Sequence, residues 1–446
     1  MQIQMTQKRM IHKIVVLLVA GLVTIVTSIS SIQAQGTTNQ DIFEAFEELN
    51  VITTAVPFLM IAPDSRSGAM GDAGVAISPD ANSIHWNPSK LAFVEDDAGF
   101  SISYNPWLKN LVPDINMAYL SGYKRIDEFQ TVGASFRYFS LGDITFTDVV
   151  GNEIRTFKPN ELALDLAYSR KLSDNFSGGI ALRYIYSNLT GGIPAGGIDT
   201  KPGQSVAADV SWYYTSDKFK MGDKDALFAF GMNVSNIGAK MAYSDAGNPN
   251  DFIPTNLRLG PALTIDLDDY NSFTFTADFN KLLVPSPPIY RVDDQNRPIV
   301  DPNTGDFMIA SGMDPNRSVA NALFTSFYDA PGVPVRDDSG DLIYNDDGSL
   351  AIQDGSRFRE ELQEINIAVG MEYWYENIFA LRFGYFHEHY RKGARRFFTV
   401  GAGIYYSSFG LDIAYLIPTI QQHPLANTIR FSLKFNFGGS AGLLDD

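Results

Sequence analysis

The sequence predicts an all-β membrane protein: a closed, 14-stranded antiparallel outer-membrane β-barrel with an N-terminal plug. Fourteen runs of eight to twelve residues between positions 98 and 437 alternate apolar and polar side chains, as strands with one lipid face and one lumenal face do. The connectors between the runs are alternately short and long, which is typical of such barrels. After residue 35 no apolar stretch approaches the roughly 20 residues that a spanning helix needs. Any membrane span must therefore be made of strands.

The last run shows the alternation most clearly. Five apolar residues occupy every second position: Ile429, Phe431, Leu433, Phe435 and Phe437. The positions between them are polar and include Arg430 and Lys434. Over a single turn the pattern also suits an amphipathic helix, but strict alternation along the whole run favours a strand.

The chain divides into four predicted segments. Residues 1–34 resemble a secretory signal peptide, because Lys8 and Arg9 precede an apolar stretch and Ala34 suits a cleavage site. A membrane anchor helix is the less favoured alternative. Residues 35–96 form the plug, 97–438 the barrel with a large extracellular loop at 282–362, and 439–446 a periplasmic tail. The chain has no cysteine, so it has no disulfide.

The predicted strands fix the sides of the membrane. They start near Ala98, Ile115, Thr131, Leu162, Ser177, Val206, Ala226, Leu257, Ser272, Ile365, Ile378, Phe398, Gly410 and Thr428. Even-numbered connectors are short, and short turns of such barrels face the periplasm. We therefore expect both termini in the periplasm and the long loops outside the cell.

Charged residues within the strands lie on the face opposite the aromatic residues. These predicted lumen charges are Arg137, Asp165, Arg183, Asp209, Arg258, Asp278, Glu372, Arg382, Asp412, Arg430 and Lys434. Facing lipid at the midplane would cost an Arg or Lys roughly 2–4 kcal/mol, so these side chains should face the lumen. Because basic and acidic groups nearly balance, paired charges bracing a plugged interior are favoured over a selective pore of one sign.

The acidic charge is concentrated in the large loop. The net charge of −17 argues against nucleic acid as a partner, and residues 282–362 hold 14 Asp and Glu against 6 Arg. A weak internal repeat with turns at 303–305 and 346–348 predicts two small hairpins. Their Asp and Asn oxygens could hold Ca²⁺, but the spacing does not match the known calcium loop and a solvated acidic surface is favoured.

The plug segment does not alternate and is rich in small residues and turns. Its charged side chains could bond the lumen wall, because buried polar groups need such partners. The residues selected as candidates in this segment are Asp64, Arg66, Gly68, Gly71, Asp72, Gly74, Asn82, Asn87 and Pro88.

These plug residues carry a resemblance to known families. Gly-Asp-Ala-Gly at 71–74, Asn-Ser at 82–83 and Asn-Pro-Ser at 87–89 resemble the N-terminal hatch of the FadL and TodX family of 14-stranded barrels. Ser89 stands where that family has alanine. The longer string from residue 63 to residue 88 resembles the narrower PorV family, also called LptO, of the type IX secretion system of Bacteroidetes.

The resemblance implies a FadL-like fold and a role in protein secretion. Members of the PorV family associate with the type IX translocon barrel and bind secreted cargo through its C-terminal signal domain. They deliver the cargo to a cell-surface attachment complex that contains the sortase-like protein PorU. The alternatives are a FadL-like transporter of hydrophobic small molecules and a purely structural barrel.

Other candidate features are few. His387 and His389 lie on one face of a strand, but two ligands are too few for a closed metal site and a polar strand end is favoured. No catalytic motif occurs, so we expect a protein that is not an enzyme and has neither cofactor nor metal. Apolar residues in the first and last outer loops suggest a partner site, although burial against the large loop explains them equally well: Trp107, Leu108, Leu111, Leu416 and Ile417.

Overall fold

The computed structural model describes most of the chain after residue 48. The described residues are 49–108, 112, 114–147, 150–194, 199–244, 251–293, 295, 297–337, 341–420, 425–426 and 428–438. The predicted signal peptide, the first part of the plug, Leu111 and the predicted tail at 439–446 lie outside them.

Fourteen long strands form the wall. They are β1 Ala98–Pro106, β2 Ile115–Arg125, β3 Gln130–Leu141, β4 Asn160–Lys171, β5 Phe176–Asn188, β6 Gly203–Thr215, β7 Lys224–Gly238, β8 Asn256–Asp266, β9 Asn271–Leu282, β10 Asn366–Tyr375, β11 Phe379–His387, β12 Arg396–Tyr406, β13 Phe409–Pro418 and β14 Ile429–Phe437. Each begins within three residues of its predicted start. The predicted fold class is confirmed.

The sheet closes on itself. Every strand pairs antiparallel with its neighbour in the sequence, and β14 pairs with β1 from Ala98 opposite Phe437 to Tyr104 opposite Phe431. In the described wall each of the fourteen strands is paired on both sides, so none of them presents a free edge to another chain. In the described part of the chain, no helix is both long and apolar enough to cross a bilayer.

The two faces of the wall differ as the alternation predicts. Large apolar side chains such as Leu120, Leu164 and Val206 are exposed on the outer face. All eleven predicted lumen charges are buried in the interior. The wall therefore carries apolar residues outward and polar residues inward, as a membrane barrel requires.

The barrel has a turn end and a loop end. The turn end carries the connectors 126–129, 172–175, 216–223, 267–270, 376–378 and 407–408. The loop end carries the long connectors. The one between β3 and β4 contains a pair of short strands, Ile144–Thr147 and Glu153–Phe157. The large loop joins β9 to β10 over residues 283–365. It contains a short strand pair, Ile289–Tyr290 with Ile309–Ser311, and two helices, which we name α3 (Val319–Thr325) and α4 (Ser356–Gln363).

The described part of the plug lies inside the barrel. It contains two 3₁₀ turns, Pro57–Met60 and Pro88–Phe93, and two single-turn helices, α1 (Ser65–Gly68) and α2 (Ser83–Trp86). It starts at the loop end, where the Asn50 amide donates to the Arg391 carbonyl at 3.0 Å, and leads into β1 at the turn end. The side of the membrane on which the two termini lie stays a prediction, since both are outside the described residues.

Glycines on the inner wall let the plug backbone approach closely. A Cβ at Gly179 would lie 2.5 Å from the Ser89 amide nitrogen, and one at Gly384 would collide with Gly71. A side chain at either wall position would push the plug away. These contacts place wall glycines of β5 and β11 against two separate parts of the plug.

Adjacent glycines of β5 allow a matched test. Gly179→Val should destabilise the barrel because its side chain would strike the plug at Ser89. Gly178→Val should have little effect, since a Cβ there faces outward and lies 3.5 Å from the nearest atom, Leu172 Cδ1. Heat-modifiable mobility on gels measures the folded fraction as temperature rises, and equal midpoints for the two variants would contradict the close contact.

Candidate functional site

An arginine of the plug forms a bidentate ion pair with the wall. Arg66 Nε lies 2.9 Å from Glu372 Oε2, and Arg66 Nη2 lies 2.7 Å from Glu372 Oε1. Asp64 caps the single helical turn that carries Arg66, because its carboxylate accepts from the Ser67 amide at 2.9 Å. The paired fork geometry fixes both the position and the orientation of the guanidinium.

The wall continues this ion pair through three more charges. Arg382 Nε donates to Glu372 at 2.6 Å, and Arg382 Nη1 donates to Asp412 at 2.6 Å. Asp412 in turn lies 3.1 Å from Lys434 Nζ and accepts from the Tyr405 hydroxyl at 2.5 Å. The chain of contacts thus crosses from β10 to β14.

A second plug residue closes the chain into a ring. Asp80 Oδ2 lies 2.9 Å from Lys434 Nζ and 3.4 Å from Arg66 Nη1. We call these six residues the charge ring: Arg66, Glu372, Arg382, Asp412, Lys434 and Asp80. The ring holds three positive and three negative groups, so it is neutral and each charge has two partners of opposite sign.

Further wall charges hold the rest of the plug. Arg430 Nη1 lies 2.6 Å from Asp72, and Asp278 accepts from the amides of Gly74 at 2.8 Å and Val75 at 3.0 Å. Arg137 donates to the carbonyls of Phe58 and Leu59, at 3.1 and 2.9 Å, and contacts His85 Nδ1 at 2.7 Å. These contacts come from strands on several sides of the barrel, so the plug is held around its circumference.

The remaining plug candidates make contacts both within the plug and with the wall, where Asn87 also donates to the Trp212 carbonyl at 2.9 Å. Asp64 also accepts from Trp86 Nε1 at 2.6 Å, and the Arg258 guanidinium lies 4.5 Å from the Trp86 ring. Asn82 accepts from the wall hydroxyl of Ser121 at 3.0 Å. The Asn87 amide group donates to Val75 in the plug at 3.0 Å.

The small plug residues stand at close contacts and turns. Gly71 has φ +71, and a Cβ there would lie 2.7 Å from the Tyr385 backbone. A Cβ at Gly68 would collide with Arg430, and one at Gly74 with Trp86. Pro88 is the first residue of the second 3₁₀ turn, a position to which the fixed φ of proline is suited. No larger side chain is compatible with this packing at Gly68, Gly71 or Gly74.

Three of the predicted lumen charges form a separate cluster. Arg183 bridges Asp165 at 2.5 Å and Asp209 at 3.1 Å, across β4, β5 and β6. Within the described residues its hydrogen bonds and ion pairs are all to wall residues. This cluster braces the wall and not the plug.

Two small cavities of the lumen lie beside the described part of the plug. A cavity of about 490 Å³ opens at the turn end beside Asp80, Trp374 and Tyr405, and one of about 360 Å³ lies at the loop end beside Ile52 and Lys392. The plug residues 62–71 and 81–92, which are all buried, fill the space between the two ends.

The large loop is fastened to the loop end by buried ion pairs. Glu364, at the end of α4, lies 2.6 Å from Lys281 and 2.9 Å from Lys392, and Glu361 lies 2.9 Å from Lys281. Burial alone would raise the pKa of Glu364, but the two ammonium groups outweigh it and lower that pKa. Burial raises the pKa of Glu361 and of Asp329, although each has a basic neighbour.

With its acidic face turned inward, α4 presents its apolar face to solvent. Phe358 and Leu362 stand four residues apart on one side of the helix, and Phe358 is 69% exposed. Phe324 of α3 is 74% exposed, and Phe327 and Tyr328 just beyond it are exposed as well. We call these five residues the apolar cap. Exposed aromatic side chains in such number are typical of an interaction surface.

In the outer loops the structure corrects the prediction for Leu416 and Ile417 and favours the burial alternative for Trp107 and Leu108. Leu416 and Ile417 do not open a loop but lie in β13, because the alternation of that strand extends to Pro418, and Leu416 is only 2% exposed and faces the interior. Trp107 and Leu108 are partly buried and pack on the apolar clusters inside the loop end. Leu111 lies outside the described residues.

The metal candidates have other partners. The His389 ring accepts from the Arg391 amide at 3.3 Å, and burial lowers its pKa. Among the described residues, Asp329, Glu361 and Glu364 form one group close enough to share an ion, but Lys281 pairs with the two glutamates and Arg317 pairs with Asp329.

The two predicted hairpins are confirmed by antiparallel bridges on either side of both turns, Val300 to Phe307 and Tyr344 to Leu350.

Sequence reasoning missed Asp80 and the apolar cap. Asp80 follows a proline in a turn-rich stretch, where a solvated carboxylate is the usual interpretation. The spacing of Phe358 and Leu362 was a detectable signal of one helix face, but it does not say that this face is the exposed one.

Comparison with known proteins gives the family. Residues 44–289, more than half of the chain, match the family described as "PorV: Type IX secretion system protein PorV". The chain belongs to the PorV family. It is thus an outer-membrane protein of the type IX secretion system. No curated protein sequence matches the chain.

Solved structures of similar fold are distant in sequence. The Pseudomonas putida toluene transporter TodX shares 13% identity over 83% of this chain and 96% of its own, with a TM-score of 0.44. The Ralstonia pickettii toluene transporter TbuX shares 10% over 84% and 98%, with a TM-score of 0.41. A Pseudomonas aeruginosa FadL homologue shares 12% over 87% and 100%, with a TM-score of 0.35. The likeness concerns no more than the fold, which the strand pairing already establishes.

The charge ring of this PorV family member can be tested by changing its balance. Glu372→Met leaves Arg66 and Arg382 buried side by side, and should reduce the free energy of unfolding by about 3–5 kcal/mol. The double variant Arg66→Met and Glu372→Met keeps the ring neutral and should be less destabilised than the single variant. Urea unfolding in detergent, followed by heat-modifiable mobility, measures both.

Glu128→Met serves as the control, because Glu128 is exposed in a turn. It should unfold at the same urea concentration as the unmodified protein. A double variant less stable than Glu372→Met alone would show that charge balance is not what the ring contributes.

Proposed function

We propose that the protein binds secreted cargo through the C-terminal signal domain of the cargo and shuttles it from the translocon to the cell-surface attachment complex. The observation that carries this proposal is the apolar cap, an exposed aromatic surface on a loop that buried ion pairs hold in place. Its partners are then the type IX translocon barrel, cargo signal domains and attachment-complex proteins including PorU.

The filled lumen supports a binding role over a channel. The plug is buried between the two ends, and the charge ring joins it to β10, β11, β13 and β14. Moving the plug would require separating several buried ion pairs, which is costly in a low-dielectric interior. Cargo recognition at the loop end needs no such movement.

The hydrogen bonds that fix the apolar cap in place support the same role. Glu361 accepts from the Ala330 amide at 2.8 Å, and Glu360 accepts from the Gly332 amide at 2.8 Å. The segment that follows Tyr328 is therefore tied to α4, which carries Phe358 and Leu362. A pre-organised apolar surface loses less conformational entropy on binding than a flexible loop does.

The sides of the membrane follow from the proposal. We place the loop end outside the cell and the turn end, with the C-terminal tail, in the periplasm. No reaction is assigned to the protein, because the polar groups of the lumen serve as structural ion pairs and the proposed work is recognition. The outer-membrane lipid then surrounds the apolar outer face of the wall.

The alternative, FadL-like uptake of hydrophobic small molecules, has less support. Its path would run through a lumen lined by ion pairs, and the cavities of about 490 and 360 Å³ lie at opposite ends of the plug. Loss of uptake on deletion, with a fatty acid or detergent bound in the lumen of the purified protein, would favour it.

Removing the aromatic side chains in and just after α3 tests cargo binding. The triple variant Phe324→Ser, Phe327→Ser and Tyr328→Ser should recover much less cargo when the tagged protein is captured from cells in mild detergent. Cargo is detected by its C-terminal signal domain, and the translocon is measured in the same samples.

The control for this experiment changes exposed apolar residues at the other end of the barrel. Ile126→Ser with Leu172→Ser should recover the normal amount of cargo, since both residues lie in turn-end connectors. Equal cargo recovery by the two variants would refute a role of the apolar cap.

Single cysteines test the orientation, because the natural chain has none. An impermeant maleimide should label Ile154→Cys and Val51→Cys in intact cells, since both exposed positions lie at the loop end. Leu172→Cys, at the turn end, should be labelled only after the outer membrane is opened. The reverse pattern would invert the proposed orientation.

A further inference from the structure

A groove interrupts the apolar outer face of the wall. Its volume is about 750 Å³, and it runs across β1, β2, β3 and β4. At its floor, Gly122 of β2 stands directly opposite Ala134 of β3, so two neighbouring outward positions together carry one methyl group. Larger apolar side chains surround the floor: Phe100, Leu120, Val132, Phe136, Leu164 and Leu166.

The strand register explains why the groove forms here. Gly122 pairs with Phe100 on one side, and Ala134 pairs with Leu166 on the other. The next outward row, Leu120 beside Phe136, again has large side chains. The groove is thus a slot over one outward row of residues, Gly122 and Ala134. Bulky residues bound it, and it is open toward the bilayer.

One basic residue stands where the slot reaches the turn end. Lys124 is the next outward residue after Gly122 on β2, which places it about 7 Å along the strand. Its neighbour Arg125 is held by Asp97 at 3.0 Å, whereas Lys124 has no ion pair among the described residues. A lysine near a strand end can extend its ammonium to the headgroup level.

We propose that this groove binds one anionic glycerophospholipid, with an acyl chain on Gly122 and Ala134 and the phosphate beside Lys124. The slot opens onto the bilayer, so its occupant is embedded in the membrane. Lys124 is the basic residue among those that line the slot, and its charge favours an acidic headgroup. The choice of glycerophospholipid rests on the proposed orientation, which places the turn end in the periplasmic leaflet.

Native mass spectrometry of the full chain in mild detergent tests the site. Phosphatidylglycerol and phosphatidylethanolamine are added separately, and the unmodified protein should retain one phosphatidylglycerol in preference to the zwitterionic lipid. Lys124→Gln should weaken phosphatidylglycerol binding about fivefold and leave phosphatidylethanolamine binding unchanged. Because the readout is lipid retention, it stands apart from cargo capture.

Filling the slot tests the acyl-chain contact. Gly122→Leu should weaken binding of phosphatidylglycerol on the order of tenfold if two methylenes are displaced. A Cβ at Gly122 would meet the Gly99 carbonyl at 3.3 Å, so Ala134→Leu provides a second variant should the first fail to fold. Ala402→Leu, another outward alanine on β12, is the matched control and should bind lipid normally.

Several outcomes would overturn the proposal. Equal retention of the two lipids by the unmodified protein would remove the role of Lys124. Unchanged binding by folded Ala134→Leu would show that the slot is not the site. Retention of lipopolysaccharide or of a partner barrel in place of phosphatidylglycerol would assign the groove to a different occupant.

Discussion

Charge pairing inside a closed lumen that the plug fills governs the architecture of this barrel. A charged side chain that faces inward is stabilised only where an opposite charge or several hydrogen-bonding groups meet it: donors for a carboxylate, acceptors for a guanidinium or ammonium group. The charge ring satisfies this requirement for six residues at once, and two of them, Arg66 and Asp80, belong to the plug. Because these two residues lie 14 positions apart in the chain, the ring fixes both the depth of the plug and its rotation relative to the wall.

The same chemistry shapes the loop end, with a different result. The glutamates of α4 turn inward to Lys281 and Lys392, as they must if those buried ammonium groups are to be neutralised. A helix that buries its acidic face exposes its other face, and in α4 that face carries Phe358 and Leu362. The buried ion pairs therefore do two things: they hold the loop, and they orient an apolar surface toward solvent.

Alternation with a period of two was sufficient to locate all fourteen strands, because each strand separates lipid from a polar lumen and a one-residue slip would reverse both faces. It also assigned the lumen charges to the inner face. It could not predict which charges form ion pairs with each other. Arg66 and Glu372, for example, are 306 positions apart, and the sequence around either residue does not indicate the other. The same alternation continues through Leu416 and could have placed this residue in the strand, since β13 extends past the point where a loop was expected. For α4 the helical spacing was visible, but which face is buried depends on two distant lysines.

Small residues of the wall show how far the alternation can be taken. Gly179 and Gly384 face inward, where the missing side chain admits the plug backbone. Gly122 faces outward, where the missing side chain leaves a slot in the lipid face. The same residue type thus serves protein packing on one face and bilayer contact on the other, and its parity within the strand decides which. A glycine in such a wall is uninformative until its face is known. Once the face is known, the group that occupies the missing volume can be inferred: plug backbone on the inner face, or lipid on the outer face.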